Sequence, residues 1–158
     1  AELVLEERRC TVSEDGEVIE DTFDWYAQDT WGNVWYLGED TKEFEDGKVV
    51  TTEGSWEAGV DGAEAGVVVP ASPEVGLAYR QEYYAGEAED TVESLSLDEQ
   101  VEVPFGAYDD VVMTKDTTPL EPDVLEHKFY ARGVGPVLTI SLSGGGGREE
   151  LISFEPGR

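Results

Sequence analysis

The sequence has one cysteine, one histidine and only ten basic residues among its 158 residues. The single cysteine, Cys10, excludes an intramolecular disulfide and a metal site built from several thiolates. The single histidine, His127, argues against a zinc enzyme, because zinc is held mainly by histidine and cysteine. No hydrophobic run approaches the roughly 20 residues of a membrane-spanning helix, so no membrane span is predicted.

Basic residues are so few that the 37 acidic residues leave a formal charge of −27. The acids are spread along the whole chain, and such a surface repels nucleic acid and anionic membranes. One interpretation is a solvated, self-repelling coat that suits a high-salt habitat, where screening weakens the repulsion. The other is attraction of cationic partners or calcium.

Helical periodicity is missing as well, since no helical pattern continues for more than two turns. Residues 95–103 are the one stretch where a short helix could form. Eight to ten short alternating segments with turn signals between them instead predict an all-β fold. We expect a single domain over residues 1–158, an antiparallel β-barrel or strongly curved half-barrel of lipocalin-like general shape, with little or no helix.

Aromatic residues are concentrated in Asp24–Glu39, which holds three of the four tryptophans and two of the seven tyrosines. A turn at residues 30–33 makes this stretch a hairpin, and strand alternation gives it two faces. The apolar face carries Phe23, Trp25, Trp35 and Leu37, and the other face carries Asp24, Tyr26 and Tyr36. Symmetric pairing predicts Ala27 opposite Trp35, Trp25 opposite Leu37 and Tyr26 opposite Tyr36.

The polar and aromatic face of the hairpin predicts a ligand site. The predicted ligand-binding residues are Asp24, Tyr26, Trp35, Tyr36, Trp56, Arg80 and Tyr84. A barrel of about eight strands has room for one small ligand, and carboxylates beside ring faces suit a cationic or polyhydroxylated planar ligand. The alternative is that Arg80 and Glu82 form a surface ion pair while the tyrosines only pack.

An enzyme of the same shape is the second hypothesis. His127 lies between Leu125 and Phe129 in strand alternation, and an imidazole titrates near neutrality. It could exchange protons with a ligand together with Asp24 or Glu82, without a cofactor. The alternative is a histidine that only packs in the core or in a pocket wall.

Calcium is the one metal that the composition suggests. The third hypothesis is therefore an extracellular interaction module that depends on calcium. Hard oxygen ligands are offered by Glu39, Asp40, Glu43, Glu45, Asp46, Asp61, Glu87, Glu89 and Asp90. None has the spacing of an EF-hand loop, so solvated acids are the competing interpretation, and no metal ligands are assigned.

Two segments in the last third carry a resemblance to known proteins. These are Val103-Pro104-Phe105-Gly106-Ala107-Tyr108-Asp109-Asp110-Val111 and Phe129-Tyr130-Ala131-Arg132-Gly133-Val134-Gly135-Pro136-Val137. With the aromatic hairpin, they make the chain similar to a group of secreted bacterial β-proteins, many of them actinobacterial, of unassigned function. The resemblance implies an exported protein, secreted or on the outside of the cell envelope, and it assigns no catalytic residue.

From these observations, we expect a secreted β-barrel that binds a small molecule in an aromatic and acidic cavity. The cofactor-free enzyme and the calcium-dependent module stand as alternatives. The sequence leaves the ligand and the oligomeric state open.

Overall fold

The structure, a computed structural model, describes residues 4–143 and 147–155 and forms only β-structure over them, with no helix. The strands are β1 (Val4–Glu14), β2 (Glu17–Gln28), β3 (Val34–Glu45), β4 (Lys48–Thr51), β5 (Trp56–Glu57), β6 (Glu64–Val69), β7 (Ala78–Arg80), β8 (Glu82–Tyr83), β9 (Thr91–Val103), β10 (Gly106–Thr117), β11 (Glu126–Ala131), β12 (Gly135–Ser141) and β13 (Gly147–Glu150). The all-β prediction is therefore confirmed.

The strands form two sheets, and the pairs within them are antiparallel. The first has the order β1-β2-β3-β6-β8, with β4 and β5 also paired to β3, and the second has the order β13-β12-β11-β10-β9-β7. Over the described residues neither sheet closes on itself, so the predicted barrel is not confirmed. The sheets are built largely from sequential hairpins, as expected when turn signals lie at short spacing.

The chain divides into two compact units. Unit 1 comprises Ala1–Ser72 and Arg80–Asp90, and unit 2 comprises Pro73–Tyr79 and Thr91–Arg158. The chain thus forms most of unit 1, contributes residues 73–79 to unit 2, returns to unit 1 for residues 80–90, and then forms the rest of unit 2. A single domain over residues 1–158 stays a prediction.

Two hairpin turns follow the sequence signals directly. Asp15 and Asp46 each have φ of 50° and each precedes a glycine with positive φ, which is the conformation that Asp-Gly turns favour. These turns connect β1 to β2 and β3 to β4. The suggested helix at residues 95–103 is wrong, because that stretch belongs to β9, where Val101 and Val103 are buried.

The apolar core of unit 2 lies on β9 to β12. Its buried members are Val101, Val103, Val111, Phe129, Ala131, Val137 and Leu138. Most are β-branched or aromatic residues, which fit a pleated, buried surface. Unit 1 differs, because its most buried strand positions include threonines, carboxylates and a tyrosine.

A β-bulge in β3 sets the register of the aromatic hairpin. Tyr26 lies opposite Tyr36, as predicted, but Trp25 lies opposite Gly38. The predicted pairing of Trp25 with Leu37 is therefore wrong. Gly38 has φ of 140°, and a Cβ there would overlap the Trp56 carbonyl oxygen. The glycine thus lets β5 approach β3 closely.

The segment over residues 79–84, which carries the predicted site residues Arg80, Glu82 and Tyr84, is not one continuous strand. Strand β7 ends at Arg80 and β8 begins at Glu82, with a bend at Gln81. Gly66 on β6 faces this bend, and a Cβ there would overlap the Gln81 carbonyl group. As a result Arg80 is exposed, whereas Gln81 and Glu82 are both buried.

Candidate functional site

Unit 1 gathers three carboxylates and three aromatic rings from four strands. We call this the acidic-aromatic cluster. Its members are Asp24 and Tyr26 on β2, Tyr36 and Glu39 on β3, Trp56 on β5, and Glu82 on β8. The bulge brings Glu39 to the side of the sheet that carries Tyr36, and β5 places Trp56 opposite Glu39.

The aromatic rings of the cluster pack in two geometries. Tyr26 and Tyr36 are stacked, with ring centroids 5.0 Å apart and planes 18° from parallel. The ring of Trp56 meets Tyr36 edge to face, at 5.3 Å and 87°. Both arrangements are favourable for aromatic pairs, and they fix the three rings relative to each other.

Each of two carboxylates accepts a hydrogen bond from an aromatic side chain. The Tyr36 hydroxyl donates to Asp24 Oδ1 at 2.6 Å, and Trp56 Nε1 donates to Glu82 Oε2 at 3.0 Å. Burial raises the pKa of Tyr36 well above 10, and nearby negative charges add to this effect. Tyr36 therefore keeps its proton and remains a donor throughout the physiological range.

Glu39 is the electrostatically unusual member of the cluster. Burial, which contributes most, and the charges of Glu82 and Asp24 together raise the pKa of its carboxyl from 4.5 to about 8. A hydrogen bond with Tyr36 acts in the opposite direction. The Glu39 carboxyl is therefore protonated at neutral pH, while its neighbours supply negative charge.

Accessibility differs within the cluster. Asp24, Tyr36, Trp56 and Glu82 are each at most 9% exposed. Tyr26 and Glu39 are only partly buried. A molecule from solvent would therefore meet the side chains of Tyr26 and Glu39 before it reached the more deeply buried Asp24 and Glu82.

The structure brings together several of the residues predicted for the site and separates others. Those that meet in the cluster are Asp24, Tyr26, Tyr36, Trp56 and Glu82. Arg80 instead pairs with Glu64 at 2.6 Å and lies 4.4 Å above the Tyr83 ring, so the alternative ion pair with Glu82 is wrong. Tyr84 is half-buried in a turn, where its backbone pairs with Ala88.

Trp35, also predicted to bind a ligand, lies near the start of β3, next to the loop between β2 and β3. Its Nε1 donates to Asp29 Oδ2 at 3.0 Å. Asp29 also accepts from the backbone N–H groups of Trp31 and Asn33 and from the Asn33 side chain, at 2.8–3.0 Å. These donors lower the pKa of Asp29 from 3.8 to about 2, the Trp35 bond contributing most.

The network around Asp29 predicts an acid-sensitive loop. Because folding depresses this pKa, the stabilisation is present above pH 3.8 and is lost as the pH falls towards 2. We expect Asp29→Ala to lower stability at neutral pH and to abolish this part of the acid dependence. Amide hydrogen exchange at Trp31 and Asn33 checks it, with Thr30→Ala as the exposed control. Unchanged exchange in Asp29→Ala would contradict the assignment.

The histidine proposed as a catalytic base lies in unit 2, whereas Asp24 and Glu82 lie in unit 1. His127 is half-buried on β11, opposite Lys115 and Ile140. Its role in catalysis stays a prediction, and the acidic-aromatic cluster is built without it.

Unit 2 contains a cavity of about 310 Å³. Its lining residues are Ala78, Tyr79, Thr91, Val92, Glu93, Lys115 and Thr117. None of these was predicted as a site residue, and none belongs to the acidic-aromatic cluster. The cavity opens beside a Glu93–Lys115 pair at 3.5 Å, both of whose side chains are about 40% exposed, so its polar lining is solvated.

No group of three or more metal-ligating side chains converges within residues 4–143 and 147–155. Calcium binding stays a prediction. In the same part of the chain, no helix has the length and hydrophobicity needed to cross a membrane.

Comparison with protein-family models, with characterised proteins and with solved structures found no match to this chain. The resemblance to secreted bacterial β-proteins therefore stays a prediction.

Proposed function

We propose that unit 1 binds a small organic cation, such as a quaternary or primary ammonium compound, at the acidic-aromatic cluster. The observation that supports this most is Glu39, a partly exposed carboxyl held beside two buried carboxylates and two stacked tyrosine rings. Aromatic faces and carboxylates together are the groups that recognise ammonium ions. This is a ligand-binding protein whose site lies on one sheet, so the proposal does not require a closed barrel.

Charge balance supports a cation rather than a neutral ligand. Glu39 holds a proton because burial disfavours its charged form and because the charges of Glu82 and Asp24 repel a third negative charge. A bound cation would offset this repulsion and would allow Glu39 to ionise. Binding is therefore expected to release a proton between about pH 5 and 8, which a neutral ligand would not do.

The proposal includes export from the cytoplasm, which rests on the resemblance to secreted proteins. The −27 charge fits it, because such a coat keeps a protein soluble and raises the local concentration of cations at its surface.

Acid–base catalysis is the second candidate function, and one observation favours it. Glu39 keeps a proton near neutral pH while Asp24, bonded to Tyr36, lies beside it. Neighbouring carboxyl groups whose environments separate their pKa values are typical of enzymes that transfer protons. In this version Glu39 is the acid, taking the place that the sequence suggested for His127.

Titration with tetramethylammonium chloride, followed by NMR, tests the binding proposal. We expect saturable shifts at Tyr26, Tyr36 and Trp56, measured against potassium chloride at the same ionic strength. Tyr26→Leu should weaken binding roughly 5- to 30-fold, because a cation–π contact contributes about 1–2 kcal/mol when partly desolvated.

Two matched variants serve as controls for this titration. Tyr26→Phe keeps the ring and should bind as the wild type does, and Tyr84→Leu removes a half-buried tyrosine of unit 1 that lies outside the cluster. If tetramethylammonium shifts the same resonances as potassium, or if Tyr84→Leu weakens binding as much as Tyr26→Leu, the proposal is wrong.

A further inference from the structure

The loop between β2 and β3 exposes a large aromatic side chain that the proposed cation site does not use. Trp31 is 76% exposed, whereas the other three tryptophans are half-buried or buried. Tryptophan is costly to leave in water and is enriched among the residues that dominate protein interfaces. Its position therefore calls for a functional explanation.

The loop that carries Trp31 is held in one conformation. The Trp31 N–H donates to Asp29 Oδ1 at 2.9 Å, and the Asp29 N–H donates to the Asn33 carbonyl at 3.0 Å. Asn33 Oδ1 also accepts from the Ala71 N–H at 2.8 Å, which ties the loop to the chain beyond β6. A partner that binds the indole would thus pay little entropy for ordering the loop.

The segments next to Trp31 along β2, β3 and β6 have few charged residues in a chain that carries 47, although β1 places Glu6 and Glu7 opposite Tyr26 and Trp25. Residues 25–38 contain one charged residue, Asp29, which is 7% exposed. Residues 65–73, whose strand β6 pairs with β3, contain none. The cores of protein interfaces are typically rich in aromatic residues and poor in charged residues, as residues 25–38 are.

A sugar is a poorer fit to this loop than a protein. Both Asp29 carboxylate oxygens accept two hydrogen bonds within the loop. The Asn33 amide is engaged at both ends, and Gln28 Nε2 donates to the Gly32 carbonyl at 3.4 Å. Among the polar side chains of residues 28–33, Asp29, Asn33 and the Gln28 amide nitrogen are therefore already used, so few remain to bind hydroxyl groups.

We propose that Trp31 and its uncharged surroundings form a docking site for a basic protein that receives the indole in an apolar pocket. Charge complementarity selects the partner: the −27 chain attracts a cationic protein and repels anionic membranes. Because the loop around Trp31 has few charges, a partner can bury this surface without removing water from carboxylates. Steering by the acidic surface and anchoring by Trp31 are then separate contributions.

Photo-crosslinking tests this site. p-Benzoylphenylalanine is placed at position 31 in the full chain, or at Val49, an exposed control on β4 in unit 1, and irradiated in extracts of the organism that encodes the protein. The adduct found only from position 31 is identified and purified. We expect a basic protein.

Binding of that purified protein is then measured by surface plasmon resonance. Trp31→Ala should raise Kd at least about tenfold through faster dissociation, Trp31→Phe should have a smaller effect, and Val49→Ala should have none. Higher salt should slow association equally in wild type and Trp31→Ala. The absence of a position-specific adduct, an acidic captured protein, or a Kd unchanged in Trp31→Ala would overturn the proposal. So would Trp31-dependent binding to phosphatidylcholine vesicles or to a neutral oligosaccharide.

Discussion

Replacing Gly38 with alanine is expected to destabilise the protein by about 3 kcal/mol or more, since overpacking and backbone strain both contribute. The added Cβ would overlap the Trp56 carbonyl oxygen and would lie 2.9 Å from the Glu57 Cα. The atoms it meets are backbone, which cannot rotate away. The φ of 140° is also one that alanine rarely adopts. Chemical denaturation measures the loss.

Gly47→Ala is the matched control for this substitution. Gly47 also has a positive φ, 72°, but a Cβ there meets nothing within 4 Å. Gly47→Ala should therefore lower the free energy of unfolding only by the conformational cost of the positive φ, about 1 kcal/mol. Equal losses in the two variants would show that the approach of β5 to Gly38 does not constrain the fold. Because β5 carries Trp56, Gly38→Ala should also disturb the Trp56 environment, which indole fluorescence reports.

Replacing Glu39 with glutamine is expected to change the pH dependence of stability. The pKa of Glu39 in the folded protein, about 8, lies above 4.5, the ordinary value that the unfolded chain should have. The contribution of the protonated carboxyl to stability is therefore fully present below pH 4.5 and is lost as the pH rises through 8. Wild-type stability should thus decline across this range. Glutamine resembles the protonated carboxyl, so the variant should lack this decline.

The size of the effect follows from the shift. One pKa unit corresponds to about 1.4 kcal/mol, and partial exposure of Glu39 reduces the full value, so we expect Glu39→Gln to be about 2–4 kcal/mol more stable than wild type near pH 9. At pH 4, below the unperturbed pKa, the two should be nearly equal. Denaturation at both pH values checks this, and Glu43→Gln, at an exposed position of β3, should show no such difference. A Glu39→Gln variant no more stable than wild type at pH 9 would contradict the assignment.

The sequence predicted much of the acidic-aromatic cluster because strand alternation is a short-range property. Asp24 and Tyr26 are two residues apart on β2, and the pairing of Tyr26 with Tyr36 follows from the turn. Glu82 was included because alternation places it on one strand face with Arg80 and Tyr84, and Trp56 was included from a glycine-rich loop. The contact between Trp56 and Glu82, at 3.0 Å, depends on how β5 and β8 pair, which no local pattern determines.

Glu39 was missed as a site residue for a specific reason. Strict alternation from Trp35 and Leu37 places Glu39 on the apolar face, and the sequence analysis considered it only as a calcium ligand. The bulge at Gly38 reverses the alternation and turns Glu39 towards Tyr36. A glycine inside a strand is a known signal of a bulge, so this signal was present at Gly38.

The barrel could not be confirmed because closure depends on pairing between strands that are distant in sequence. Hairpins such as β1–β2 follow from an Asp-Gly turn. The edge strands are β1 and β8 in the first sheet and β13 and β7 in the second. Which strands lie at the edges depends on long-range contacts that have no sequence signature. Arg80 shows the same limit, because the bend at Gln81 removes it from the face of Glu82.

The most direct test of the proposed site is the titration of the Glu39 side-chain carboxyl carbon by NMR, with and without tetramethylammonium chloride. We predict a midpoint near pH 8 in the free protein and a lower midpoint when the cation is present, because a bound cation favours the ionised carboxyl. A midpoint near 4.5 that the cation does not move would contradict both the electrostatics of the cluster and its role as a cation site.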